Sequence, residues 1–199
     1  MRVIAGTAKG HALRGPRTPK SGASPIRPTS DKVRGALFDI IGAEIVGARV
    51  LDLYAGTGAL AIEALSRGAK EAELVEADRE ALELIAANLA HTHLEQRARV
   101  RRQRVEKALE GLEGRYDVIL ADPPYADAGL ISLLTEIARR GLVEQQGLVA
   151  IEHASRVALP DVIANLHLLK HRRHGDTTVS LYRAVDAGAE GAGQAAGGA

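Results

Sequence analysis

Residues 50–76 read VLDLYAGTGALAIEALSRGAKEAELVE, and their order is strand, tight loop, helix, strand. Val50–Tyr54 is apolar around one acid, and Gly56 and Gly58 punctuate the turn. Ala59–Arg67 is made of helix formers and stops at Gly68, a residue suited to a left-handed C′ position. Ala72–Ala77 supplies the next strand. Outward from this unit the pattern repeats. Asp78 can cap a helix whose Leu82, Ile85, Ala86 and Leu89 share a face. A strand around Val100 and a short helix over 105–112 follow. Tyr116–Ala121 (YDVILA) is nearly continuous in apolar residues, as expected of a strand covered on both faces. Leu130, Leu133, Leu134 and Ile137 mark another helix, ended by Gly141, and Leu148–His153 gives a fifth strand. Leu166–Arg173 and Thr177–Ala184, joined at His174–Asp176, read as an antiparallel hairpin. The expected fold is α/β: a doubly wound, mainly parallel, Rossmann-like sheet with right-handed crossovers and an antiparallel C-terminal hairpin. Ligands of such a sheet bind at the carboxyl ends of its strands.

The chain ends differ from this body. Residues 2–15 (RVIAGTAKGHALRG) suggest a β-hairpin, and the Pro-, Gly- and Ser-rich residues 15–28 an exposed loop, so that 1–28 form a basic N-terminal hairpin arm and loop. Thr29 or Ser30 can cap a helix with Asp31 in its first turn, and Val33, Leu37, Ile40 and Ile41 form its apolar face. The α/β domain is expected over 29–185. Residues 186–199 (DAGAEGAGQAAGGA) are expected to be disordered for want of apolar surface to bury.

Residues 1–35 hold eight Lys or Arg and one acid, a net of +7 against +1 for the whole chain, so the remainder carries −6. A basic arm on an acidic body suits a polyanionic partner. Arg97–Arg104 and Lys170–His174 are smaller basic clusters, the first also readable as a solvated sheet edge. No apolar run is long enough to span a bilayer and no signal peptide opens the chain. Cysteine is absent, which excludes disulfides and thiolate metal sites and fits a reducing, cytoplasmic setting. His91 with His93, and His171 with His174, lack a third ligand at metal-site spacing, so no metal is expected.

Glycines at 56 and 58 allow a sharp turn and close backbone approach, and the helix behind them offers its amino-terminal amides to a ligand. Gly56-Thr57-Gly58-Ala59-Leu60-Ala61 also satisfies the dinucleotide fingerprint, with acidic Glu76 about 20 residues on. Two details favour S-adenosylmethionine over NAD: Asp52-Leu53-Tyr54-Ala55 stands between the strand and the first glycine, and an acid at a strand tip suits a cationic amino-acid end. Asp52 can orient the loop or meet the methionine ammonium through water. Glu76 can accept hydrogen bonds from both ribose hydroxyls.

Asp122-Pro123-Pro124-Tyr125 follows the YDVILA strand. Consecutive prolines remove two N–H donors and leave carbonyl acceptors in a stiff turn. That suits an exocyclic amino group, whose lone pair becomes nucleophilic only on pyramidalisation. The Asp122 carboxylate and Pro123 carbonyl can accept its hydrogens, more strongly as positive charge grows on nitrogen. Tyr125 can stack on a flipped base.

These residues resemble a known family. Asp-Leu-Tyr-Ala-Gly-Thr-Gly followed by Asp-Pro-Pro-Tyr looks like the amino-methyltransferases of class I fold. Arg2–Gly6, Arg27–Arg34, Leu37-Phe38, Gly58–Leu60, Glu63–Gly68, Gly175–Thr177 and Tyr182-Arg183 resemble the RsmD family, over about residues 1–184. The resemblance implies methyl transfer from S-adenosylmethionine to N2 of a guanine in small-subunit (16S) ribosomal RNA, in assembled or partly assembled subunits. By position, Gly56, Gly58 and Glu76 would bind the cofactor, with Asp52, Tyr54, Leu60 and Ala77 beside them. Asp122 to Tyr125 would hold the guanine. Arg27, Thr29 and Arg34 would line the approach; the charge of residues 1–35, independently of the resemblance, makes Arg14, Arg17 and Lys20 the expected RNA handle. Members of the family often carry an Asp facing the adenine where this chain has Arg104, so main-chain groups around Arg104-Val105 are expected there instead. The alternatives are a DNA adenine or cytosine amino-methyltransferase, for which the chain lacks a target-reading insertion, and a non-catalytic protein that binds the cofactor and RNA.

Overall fold

A computed structural model describes residues 1–16, 31–124 and 129–185 of the 199. The expectations for Arg17, Lys20, Arg27, Thr29, the Thr29 or Ser30 cap, Tyr125 and the 186–199 tail lie outside the described residues.

The strands are β1 (Arg49–Leu53), β2 (Glu71–Glu76), β3 (Ala98–Arg102), β4 (Tyr116–Ala121), β5 (Val143–Ala154), β6 (Val162–Ile163), β7 (Leu166–His174) and β8 (Thr177–Ala184). The helices are α1 (Asp31–Ile41), α2 (Ala59–Ser66), α3 (Arg79–Thr92), α4 (Val105–Gly111) and α5 (Leu130–Arg139). One sheet joins all the strands in the order β3-β2-β1-β4-β5-β8-β7-β6. Strands β3, β2, β1, β4 and β5 are parallel; β8, β7 and β6 add antiparallel. The mainly parallel α/β sheet with its antiparallel C-terminal hairpin matches the expectation.

The apolar runs are continuous because each strand feeds two cores. Val50, Leu74, Leu120 and Ala150 pack beneath α1, α2 and α3. Leu51, Leu53, Val75, Ile119 and Ile151 pack on the other side, beneath α4 and α5. Helix α5 buries the expected stripe of Leu130, Leu133, Leu134 and Ile137. Helix α2 is buried on every side, between the sheet and the chain's own amino terminus.

That docking corrects the picture of a free arm over residues 1–16. Val3, Ala8 and Leu13 belong to the core. The Ile4 and Ala5 amides donate to the Glu63 carboxylate at 2.8 and 3.0 Å, and Thr7 and Ala8 donate to the Ser66 carbonyl and hydroxyl. With those amides taken by α2, hairpin pairing shrinks to one bridge between Arg2 and Ala12. Gly6 makes the approach possible: at φ +82 a Cβ there would lie 1.8 Å from the Ser66 carbonyl oxygen.

Helix α1 runs alongside α2 in the same direction. Arg34 meets Glu63, and further down Phe38 and Asp39 meet Arg67. Because α2 leaves the glycine loop at the carboxyl end of β1, the amino end of α1 points to that end of the sheet too. Strand β5 starts earlier than expected, at Val143. Its register against β4 slips between Val143 and Leu148, with Gln146 at φ 64.

Candidate active site

Strand β1 has β2 on one side and β4 on the other, and the chain winds away in opposite directions from this pair. Their carboxyl ends are level, Leu53 beside Ala121. The glycine loop and the Asp-Pro-Pro loop therefore leave the sheet next to one another, and the Asp122 amide donates to the Leu53 carbonyl at 3.4 Å. A crevice at such a switch point is where a doubly wound sheet binds its ligand.

The glycine loop is held from three directions. From below, Asp52 is 1% exposed and its Oδ2 accepts the Ala61 amide at 3.0 Å, tying β1 to the first turn of α2. Its Oδ1 is buried without a hydrogen-bond partner among the described residues. Burial, with help from nearby Asp122 and Glu76 and against the Ala61 hydrogen bond, pushes the Asp52 carboxyl up to about 8. From the β2 side, Glu76 accepts the Gly56 amide at 2.8 Å and the Ala77 and Asp78 amides at 2.7 and 2.8 Å. From α3, the fully buried Asn88 donates to the Thr57 carbonyl at 2.9 Å.

The loop backbone itself is strained. Tyr54 sits at φ 63, a left-handed conformation that costs a non-glycine residue about 1–2 kcal/mol. Gly58 caps α2 at φ 77, a left-handed conformation that side chains rarely adopt. Its glycine lets the chain turn sharply from the loop into α2. The amides of Ala59 and Leu60 behind it have no partner among the described residues, which leaves them for an anionic ligand group.

A cationic cofactor fits this arrangement. Asp122 and Glu76 lie close enough to add to the burial that raises the Asp52 pKa, and the orphaned Asp52 oxygen becomes, on ionisation, an acceptor for a cationic donor. The cofactor's carboxylate matches the free α2 amides. Glu76 already spends its oxygens on three amides, so it braces the loop whatever else it binds.

Other expected residues fall into place or move. Leu60 is buried in the core, which leaves only its amide to the site. The half-buried Tyr54 ring packs against the core beneath α4 and α5, and burial and nearby Glu106 raise its pKa. Arg104 precedes α4 at the end of β3, where its 81% exposed side chain pairs with Glu106 and its carbonyl accepts the Ala108 amide. Val105 turns its side chain into the core. Asp78 is the cap of α3, accepting the Ala81 amide at 2.9 Å. Pro123 is half-buried and Pro124 exposed, so the turn is accessible. His91 stacks edge-on against His11, and no group of three metal-binding side chains forms among the described residues.

Arg34 is a correction. Expected on the approach to the site, it is wholly buried: its Nε lies 3.6 Å from Glu63, and Nη2 donates to Asp31 and to the Arg2 carbonyl. Its charge is spent holding the amino terminus and α1 on α2. Arg14 remains exposed, but its amide and carbonyl are clamped by the Asn88 side chain at 2.7 and 3.1 Å. Asn88 thus links residue 14 to the glycine loop. It was not singled out in the sequence, although an Asn three residues from Ile85 on a buried helix face is a visible signal.

Comparisons with known proteins place the whole fold within a family. The family described as Conserved hypothetical protein 95 matches residues 1–183. The chain belongs to this family, the RsmD family. It is 38% identical to "Putative rRNA methyltransferase YlbH" of Bacillus subtilis over 92% of this chain and 98% of that protein. It is 33% identical to "Ribosomal RNA small subunit methyltransferase D" of Escherichia coli, over 92% and 89%. Among solved structures, "Putative methyltransferase yhhF from Escherichia coli" superposes with a TM-score of 0.81 at 32% identity, over 93% and 98% of the two chains. Residues 1–16, read as an arm but found docked, are within the stretch the family shares.

Proposed function

We propose that this protein transfers a methyl group from S-adenosylmethionine to the exocyclic N2 of a guanine in small-subunit ribosomal RNA, presented in an assembled or partly assembled subunit in the cytoplasm. The observation that carries the reading is the level pairing of Leu53 with Ala121, which sets the Asp-Pro-Pro turn directly beside the glycine loop. The names of the relatives, ribosomal RNA methyltransferases, support the substrate class.

When bound, the cofactor supplies an electrophilic methyl group on a sulfonium. Asp52, the Ala59 and Leu60 amides and Glu76 bind and orient it, the last through ribose hydroxyls. The Asp122 carboxylate and the Pro123 carbonyl accept the two N–H groups of the guanine amine. They draw the nitrogen into a pyramidal geometry with its lone pair toward the methyl. Both acceptors gain strength as the nitrogen becomes positive, so they lower the barrier more than they tighten the ground state. Tyr125, next in sequence, stacks on the base. Pro123 and Pro124 contribute no competing N–H donors.

Mapping of modified nucleotides in ribosomal RNA from cells with and without this protein tests the reading. A single N2-methylguanine that disappears with the gene is the expected result. An unchanged map, with S-adenosylmethionine still bound by the pure protein, would mean a binding protein or a different acceptor.

A further inference from the structure

Strand β7 is apolar in its first half (Leu166, Leu168, Leu169) and basic in its second (Lys170, His171, Arg172, Arg173, His174). Strand β6 pairs only with Leu166 and His167, so the outer edge of β7 from Lys170 onward pairs with no strand among the described residues. Cations on an open edge commonly guard against aggregation. That reading predicts charge anywhere along the edge, whereas here it gathers at one end.

The register identifies that end. Arg172 pairs with Val179, Val179 with Glu152, and Ile151 with Ala121. Arg172, Val179, Glu152 and Asp122 therefore lie in one row across the sheet. Three strand spacings separate Arg172 from Asp122, about 14 Å. His174 and Thr177 pair level with Ala154, two residues beyond that row, so the hairpin tip stands about 7 Å above the level of Asp122. The basic half of β7 is a wall at the mouth of the candidate site, on the side away from the glycine loop.

Its cations are also uncommitted. Lys170, Arg172 and Arg173 are exposed, with no carboxylate partner among the described residues. Arg173 uses only Nε on its own turn, donating to the Gly175 carbonyl at 3.0 Å. Three cations of the other basic edge, near β3, are already engaged. Arg97 donates to the Ala69 and Leu65 carbonyls, Arg101 is bound to Glu73, and Arg104 pairs with Glu106.

We propose that Lys170, Arg172 and Arg173 form an RNA-contact surface that holds backbone phosphates flanking the target nucleotide while its base enters beside Asp122. This rests on the ribosomal RNA reading above. The phosphodiester backbone is the fitting occupant because free cations line this edge, Lys170 and Arg172 toward one face of the sheet and Arg173 toward the other, on a body that is otherwise net acidic, and Lys and Arg so placed bind and position backbone phosphates.

The test compares wild type, a Lys170→Ala/Arg172→Ala/Arg173→Ala variant and a Lys70→Ala/Arg115→Ala/Arg139→Ala control, whose lost charges lie at the opposite end of the sheet. RNA affinity is measured with unmethylated small-subunit ribosomal RNA, both free and in partly assembled subunits, at several salt concentrations, alongside S-adenosylmethionine affinity. The β7 variant should bind RNA at least tenfold more weakly, with the slope of log affinity against log salt flattened by about two. Its S-adenosylmethionine affinity and its methylation rate at saturating RNA should match wild type, and the control should match wild type throughout. Arg172→Glu alone should weaken RNA binding more than Arg172→Ala, which keeps the test open if the triple variant does not fold. Wild-type affinity and slope in the β7 variant, or an equal loss in the control, overturns the proposal. A wild type that neither binds nor methylates this RNA overturns the substrate reading itself, a separate result.

Discussion

The two loops that meet at the switch point are built in opposite ways. The glycine loop is fastened by side chains from three elements: Asp52 from β1, Glu76 from β2 and Asn88 from α3. The Asp-Pro-Pro turn meets its neighbour through a long backbone contact, Asp122 to Leu53, and its prolines have no amide to give. The difference follows from what each loop would do. A cofactor loop benefits from being formed before binding, since ordering it afterwards would cost affinity. Acceptors for a transition state must instead be placed to offer lone pairs when a substrate amine arrives. Substitutions in the first loop should therefore change stability and cofactor affinity together, and those in the second should change turnover alone.

The strongest way to break this contrast is Asp122→Ala. Loss of one transition-state acceptor should raise the barrier by about 3 kcal/mol, on the order of a hundredfold in rate, with cofactor affinity nearly intact. A kinetic assay with excess cofactor, paired with equilibrium titration, reads both quantities. Near-normal turnover would remove Asp122 from the chemistry. Next in size, Glu76→Ala should weaken S-adenosylmethionine by about 1.5–3 kcal/mol, as hydrogen bonds to a charged group are lost. The same variant should lower the unfolding midpoint, because the Gly56 amide loses its acceptor. Weaker binding with unchanged stability would mean that the brace contributes nothing and the contrast is overstated.

Asn88→Asp sharpens the comparison further. The substitution keeps an acceptor for the Arg14 amide but removes the donations to the Thr57 and Arg14 carbonyls, leaving the first unpaired at a buried site. Stability should fall by about 1–3 kcal/mol, and cofactor affinity should fall with it. Denaturant unfolding and titration would detect the two losses, and a stability loss alone would confine Asn88 to a structural role.

How much of this was legible depends on how local each signal is. The strand-loop-helix-strand unit showed itself because burial on two faces writes a continuous apolar run, as in Val50–Leu53 and Tyr116–Ala121. Glycine and proline carry their backbone chemistry within a few residues, so both loops were found. The fastening was not legible. Glu63 accepts amides from residues 59 and 58 positions away, and Asn88 grips Arg14 across 74. Periodicity marks which face is buried, not which distant backbone a polar group on it meets. Arg34 was misplaced for the same reason: a charged residue in a basic stretch reads as surface until Glu63 is seen buried beside it. The basic composition of residues 1–16 likewise hid that their amides were needed by α2. The two-residue β6 and the slip in β5 are set by neighbouring strands and leave no period of their own.

The smallest expected effect concerns Asp52, and it separates a loop merely held by hydrogen bonds from one that also stores a proton. Burial raises this carboxyl from 3.8 to about 8 in the folded protein. Between those values the native state keeps a proton that the unfolded state has released. Stability must then fall as pH rises through that window and level off above the folded value. Across pH 7 to 9 the loss should be on the order of 1 kcal/mol. Asp52→Asn, which can still accept the Ala61 amide, should abolish that part of the slope, so the informative quantity is wild type minus variant in denaturant unfolding at each pH. The cofactor's ammonium would favour the charged carboxylate, so binding near neutral pH should also release a proton. Calorimetry in buffers of different ionisation enthalpy would register that release in the wild type and not in Asp52→Asn. Parallel stability curves with no buffer dependence would mean that Asp52 stays ionised beneath the loop, and that its second oxygen has found another donor.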